Sequence, residues 1–163
     1  MLCDWLPPRG NGAVADFYVH HQSIVTNGVR ISKAKITFDE GGGAYIVAGD
    51  GLNARSLVYR AEENGQYRSS IESKVVRPVQ DVKIKPSNGL IPQDGALVIR
   101  SRVKIDEKGN IVSSNYSKIY GPFSIAEVFL FGQICFNPNV NDTNLEFDTH
   151  KNLADKNIGT FYP

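Results

Sequence analysis

Ala96 to Phe123, ALVIRSRVKIDEKGNIVSSNYSKIYGPF, most narrows what this chain can fold into, because side-chain alternation and turn chemistry agree along its whole length. Leu97, Ile99, Ser101, Val103 and Ile105 fall on one side of an extended chain, and Val98, Arg100, Arg102, Lys104 and Asp106 on the other. One face is expected dry and the other wet. Glu107-Lys108-Gly109-Asn110 supplies the reversal. The return strand sets Val112, Tyr116 and Tyr120 on one face and closes at Gly121-Pro122, where proline has no N–H to give a ladder. The stretch reads as a β-hairpin.

Similar punctuation recurs along the chain. Ala13 to His21 reads as a first strand. Ser23 to Thr26 and Val29 to Ile31 flank Asn27-Gly28, two residues that tolerate the positive φ of a type I′ turn. Lys35 to Phe38 extends the return strand or starts another after a bulge near Ser32-Lys33. Asp39 to Gly43 breaks the chain before a short strand, Ala44 to Ala48. Leu52 to Glu62 and Gln66 to Val76 flank Asn64-Gly65, a second expected hairpin whose return strand sends Tyr67, Ile71 and Val75 to one side. Pro78 marks a strand start or an edge, Val82 and Ile84 alternate with lysines, and 86–95 is a loop. Ser124 to Glu127 has capping-box spacing, but Phe129, Phe131, Ile134 and Phe136 favour a buried strand through 124–136.

These features predict an all-β fold: one antiparallel β-sandwich of roughly eight to ten strands, Ig/fibronectin-III-like or jelly-roll-like, with a closed barrel as the alternative. The sandwich is expected over 13–136, behind an irregular leader at 1–12 rich in Pro and Gly. From Asn137 the chain is rich in Asn and Asp with sparse apolar residues, so 137–163 reads as an extended arm. Leu145, Phe147, Leu153, Ile158, Phe161 and Tyr162 are spaced as single anchors, to be laid across this domain or a neighbouring subunit. Trp5, Leu145, Phe147, Leu153, Phe161 and Tyr162 are therefore the candidate partner contacts.

Charge and motifs narrow the function by exclusion. Lys and Arg number 18 against 17 Asp and Glu, a net charge of +1, so general attraction to nucleic acid or an acidic membrane is not expected. MLCDWLPPRGNG lacks the charged start and apolar core of a secretory signal, and no apolar run approaches the ~20 residues of a membrane span. The expectation is synthesis in the cytoplasm without membrane insertion. Cys3 and Cys135 are expected as reduced thiols, Cys135 as a small core hydrophobe. His20-His21 offers imidazoles, but neighbours on a strand point to opposite faces. Asn137, Asn139, Asn141 and Asp142 have calcium-like spacing without a carboxylate first or a glutamate at the twelfth position. No nucleophile elbow or matched carboxylate pair stands out, so neither an enzyme nor a cofactor or metal is expected.

Two short segments carry likenesses. Asp16-Phe17-Tyr18-Val19-His20-His21 resembles the second nucleic-acid-binding strand of cold-shock domains, which implies a small barrel with aromatic stacking platforms. The Lys-Gly-Phe-Gly-Phe-like strand that precedes it in that family is absent. Val103 to Phe123 resembles the last hairpin of fibronectin type III domains, which implies a sandwich and no function. The expected role is structural or adaptor, in a multi-subunit assembly such as a virion with a capsid decoration or tail component. The alternative is a module binding carbohydrate or another ligand through Tyr45, Tyr59, Tyr67, Tyr116 and Tyr120, and three or more of these on one exposed concave face would favour it.

Overall fold

A computed structural model of the chain describes residues 2–3, 15–48, 59–62, 66–80, 91, 95–120, 134–137 and 139–145. Eight strands run through them: β1 (Leu2–Cys3), β2 (Phe17–Thr26), β3 (Val29–Thr37), β4 (Gly43–Val47), β5 (Ser70–Pro78), β6 (Ala96–Ile105), β7 (Ile111–Tyr120) and β8 (Ile134–Asn137). All pairings are antiparallel. Sheet A has the order β1-β2-β3-β5 and sheet B the order β4-β6-β7-β8. Phe17, Val19, Ala34, Ile36 and Ile71 of sheet A meet Ala44, Leu97, Ile99 and Ile119 of sheet B in one buried cluster. The fold is the expected β-sandwich. The barrel alternative fails, because backbone bonding between the sheets is confined, among the described residues, to a corner. There Ala44 and Arg68 exchange both backbone hydrogen bonds, at 3.1 and 2.9 Å. No helix among the described residues is long and apolar enough to cross a membrane.

The two local hairpins form where turn chemistry placed them. Asn27 and Gly28 take φ of 49° and 72°, and pairing runs unbroken from Thr26–Val29 to Tyr18–Thr37. The expected first strand and Ser23 to Thr26 are thus one strand, with no bulge at Ser32-Lys33. In the β6–β7 turn the organising residue is Asp106. Its carboxylate accepts the Asn110 side-chain amide at 3.0 Å and the N–H groups of Lys108 and Asn110 at 2.9 and 2.8 Å. Led by the Asn110 side chain, these bonds hold the carboxyl below its usual range.

Three expectations are corrected. The described residues flanking Asn64-Gly65 do not pair with each other: β5 pairs with β3, Ile71 opposite Ile36, while Arg60 bridges to Asn144. An Asn-Gly pair permits a reversal, but the apolar face of β5 chooses its partner. Tyr67 does not share a side with Ile71, because the strand turns the corner at Arg68 and Tyr67 joins a different cluster. The leader is not wholly irregular, since Leu2 and Cys3 pair with Tyr18 and Phe17. The cold-shock likeness also fails in detail, for Phe17 is buried in the core and offers no platform.

Gly43 makes the corner possible. A Cβ there would lie 2.9 Å from the Arg68 carbonyl oxygen and 3.0 Å from the Tyr67 Cβ. Gly43→Ala is expected to push the Ala44–Arg68 bridge apart and to cost about 1–3 kcal/mol. A urea-unfolding midpoint unchanged from the parent would show that the corner yields freely.

Candidate functional site

The sheets differ in what covers them. Sheet B is buried on both sides over Ala96–Ile99 and Ser114–Tyr120, while Ile46, Ile111 and Val112 toward its ends are exposed. Its outer side carries Val98 and Tyr116, which pack with Ala61 and Leu145 into a second core flanked by Tyr45, Val47 and Tyr67. The wet face expected for β6 is thus dry at Val98. Arg100 reaches across this cluster, with its guanidinium carbon 4.2 Å from the Tyr67 ring centre and its Nε–H donating to the Gly41 carbonyl at 3.0 Å. Arg100 therefore lines the cover instead of facing water.

Asparagines fasten this cover. Asn141, at φ 61°, donates its side-chain amide to the Val112 carbonyl at 3.1 Å and accepts the Ser114 N–H at 3.0 Å. Asn137 donates to the carbonyls of Asp142 and Asn144 at 3.1 and 2.8 Å. The spacing that looked calcium-like is taken up by backbone groups. The backbone amides of Ala61 and Leu145 bond to the Thr143 and Tyr59 carbonyls, each at 2.8 Å, so 59–61 and 143–145 run together across the sheet.

The tyrosines converge, but as core. Tyr45 and Tyr67 meet edge to face at 5.1 Å, and Tyr116 lies 6.5 Å from Tyr67. Burial raises the Tyr45 and Tyr67 pKa values above the ordinary phenol range. Tyr116 and Tyr120 are each 5% exposed, and of the five tyrosines Tyr59 alone is exposed, at 59%. Lys118 is buried too, opposite Cys135 in the ladder and with Nζ 4.6 Å from the Tyr120 ring. Burial lowers the pKa of that amine and raises that of the Cys135 thiol.

Sheet A has no such cover on its outer side among the described residues. Cross-strand rows run His20–Lys35–Glu72, Gln22–Lys33–Lys74 and Ile24–Ile31–Val76. The first two rows line a shallow groove of about 480 Å³. Lys35 pairs with Glu72 at 3.1 Å, whereas Lys33 stands directly opposite Lys74. Like charges placed so are unfavourable until something of opposite sign or low polarity covers them. In the third row Ile24 is 58% and Val76 54% exposed. Strands β2, β3 and β5 together carry five cations and one carboxylate, although the whole chain is nearly neutral.

The sequence candidates distribute unevenly. Leu145 is fully buried in its own domain, so the start of the arm is laid across this sandwich and the folded unit continues beyond 136. Trp5, Phe147, Leu153, Phe161 and Tyr162 lie outside the described residues, as do most of the leader and the 124–133 part of the helix-or-strand question. Residues Ile134–Asn137 are strand. Of the Cys3–Cys135 question, only the Cys135 side is described, its Sγ 3.8 Å from the Leu145 carbonyl. His20 and His21 lie on opposite sides of β2, and among the described residues no three His, Cys, Asp or Glu side chains converge on a point. Sequence reasoning missed the exposed face of sheet A. Its signal was present as the pairing of uncovered Ile24 with Ile31, but only the register brings Val76 beside them. No family model, curated protein or solved structure matches the chain.

Proposed function

We propose that the protein is a non-catalytic structural or adaptor subunit whose outer sheet A face seats a neighbouring protein in an assembly. The observation that carries this reading is the asymmetry of cover among the described residues: over Ala96–Ile99 and Ser114–Tyr120 sheet B is covered on both sides by its own chain, while sheet A displays an apolar row beside paired lysines. A face of this composition gains by being buried: covering a fully exposed aliphatic side chain contributes roughly 1.5–3 kcal/mol, and Ile24 and Val76, 58% and 54% exposed, would gain the corresponding part of it. A shell or tail component of a virion fits the profile, by analogy alone.

Amine labelling tests the assignment. In material isolated natively from its source, Lys33, Lys35 and Lys74 are expected to react several-fold more slowly than in the purified chain. Lys104, exposed on β6, and Lys108, exposed in the turn after it, should react equally in both. Equal reactivity of the three sheet A lysines in the two preparations would overturn the assignment.

A further inference from the structure

The two long edges of sheet A are built differently. On β5 the edge carries Glu72, Lys74, Arg77 and Pro78, the charges and proline with which sheets discourage unwanted pairing. On β2, Gln22 to Thr26 has neither charge nor proline nor bulge, and among the described residues the strand on that side, β1, meets β2 at Phe17 and Tyr18. Gln22, Ser23, Ile24, Val25 and Thr26 are all exposed. With a two-residue turn at Asn27-Gly28, Thr26 and Val29 form a hydrogen-bonded pair, so alternation turns the N–H and C=O groups of Ser23 and Val25 away from β3.

Resting on the assembly reading above, we infer that this edge receives β2 of a second copy of the chain, antiparallel about a two-fold axis at Ile24. Self-pairing about a two-fold axis sets one condition on charge: the residue on the axis faces its own copy, so a charge there would face its like. The Gln22–Thr26 edge carries none. Apolar continuity points the same way. The row Val76–Ile31–Ile24 ends at this edge, and an axis at Ile24 sets Ile24 against Ile24 and runs the row unbroken through both copies. The same register pairs Ser23 with Val25 twice, engaging both outward-facing residues of each copy. Lys33 and Lys74 stay one row away from the axis.

Light scattering on the purified full chain is expected to give twice the 18.0 kDa chain mass, with the amides of Ser23 and Val25 becoming protected from hydrogen exchange as concentration rises. Ile24→Lys changes an exposed side chain, so the fold is expected to survive. It sets lysine against lysine at the axis and raises the dimer dissociation constant about tenfold or more. Val112→Lys, on an equally exposed residue of sheet B, is expected to leave the mass unchanged. A monomer at millimolar concentration, a dimer whose Ser23 and Val25 amides exchange freely, or an Ile24→Lys variant that dimerises as tightly as the parent would each overturn the pairing. A monomeric chain whose Lys33, Lys35 and Lys74 are nevertheless shielded in native material overturns the pairing and leaves the assembly reading standing. Unshielded lysines overturn that reading itself.

Discussion

Asp16→Ala is expected to lower folding stability by about 3–5 kcal/mol, the usual cost of removing one partner from a buried ion pair. Asp16 precedes β2 and its carboxylate is almost fully enclosed. Oδ1 accepts the Arg102 Nε–H at 2.8 Å and the Ser101 hydroxyl at 2.8 Å, and Oδ2 accepts an Arg102 Nη2–H at 3.1 Å. The side chains of Arg102 and Asp16 are 14% and 4% exposed. Alanine would leave a guanidinium and a hydroxyl buried without this acceptor. The pair also holds the backbone in place. Arg102 has φ 54° at the shift of register between Ser101 and Lys104, a conformation costing a non-glycine residue about 1–3 kcal/mol. The carboxylate therefore fixes both the lead into sheet A and a bulge in sheet B. Arg102→Gly relaxes the backbone but strands the Asp16 charge, so it too should destabilise, and the double variant should lose less than the two single losses combined. Urea midpoints at constant slope measure all three. Single losses below about 1 kcal/mol would show that water screens the pair.

That clamp marks where sequence reading runs out. Asn27-Gly28 and the loop after Ile105 were legible because a reversal is set by residues next to each other and by glycine or asparagine at positive φ. The inter-sheet core was legible from Ile36 and Ile71, which stand between polar neighbours, and from Leu97 and Ile99, which keep period-two spacing along β6. Ser101 is buried as its dry-face position requires, whereas alternation puts Arg102 on a wet face because it assumes an unbroken ladder. Their common partner lies 85 and 86 positions away. Val98 was misassigned for a related reason. Flanking arginines read as solvent-facing, yet Arg100 folds over Tyr67 and helps to close the second core. The outer face of sheet A, uncovered among the described residues, was illegible in a third way: Ile24, Ile31 and Val76 each look ordinary alone, and only β3 pairing with β5 makes them a row.

Leu145→Ala is expected to cost about 2–5 kcal/mol, as full-length leucine truncations in closed cores do, whereas Leu145→Met should stay within about 1.5 kcal/mol. Leu145 is 0% exposed, seated with Ala61, Val98 and Tyr116, and its N–H is bonded to the Tyr59 carbonyl at 2.8 Å. The leucine pins the 143–145 segment, which in turn holds 59–61 on sheet B. A chain ending at Phe136 would lose this leucine together with Asn137 and Asn141, uncovering Val98 and Tyr116. Such a truncation is expected to unfold more easily and to associate through the wrong sheet, so it cannot report on the arm. Thermal and urea unfolding of the two point variants avoid that confusion. If Leu145→Ala proved neutral, Leu145 would be available to a partner and the outer face of sheet B would be as open as that of sheet A. The asymmetry on which the assembly role rests would then be gone.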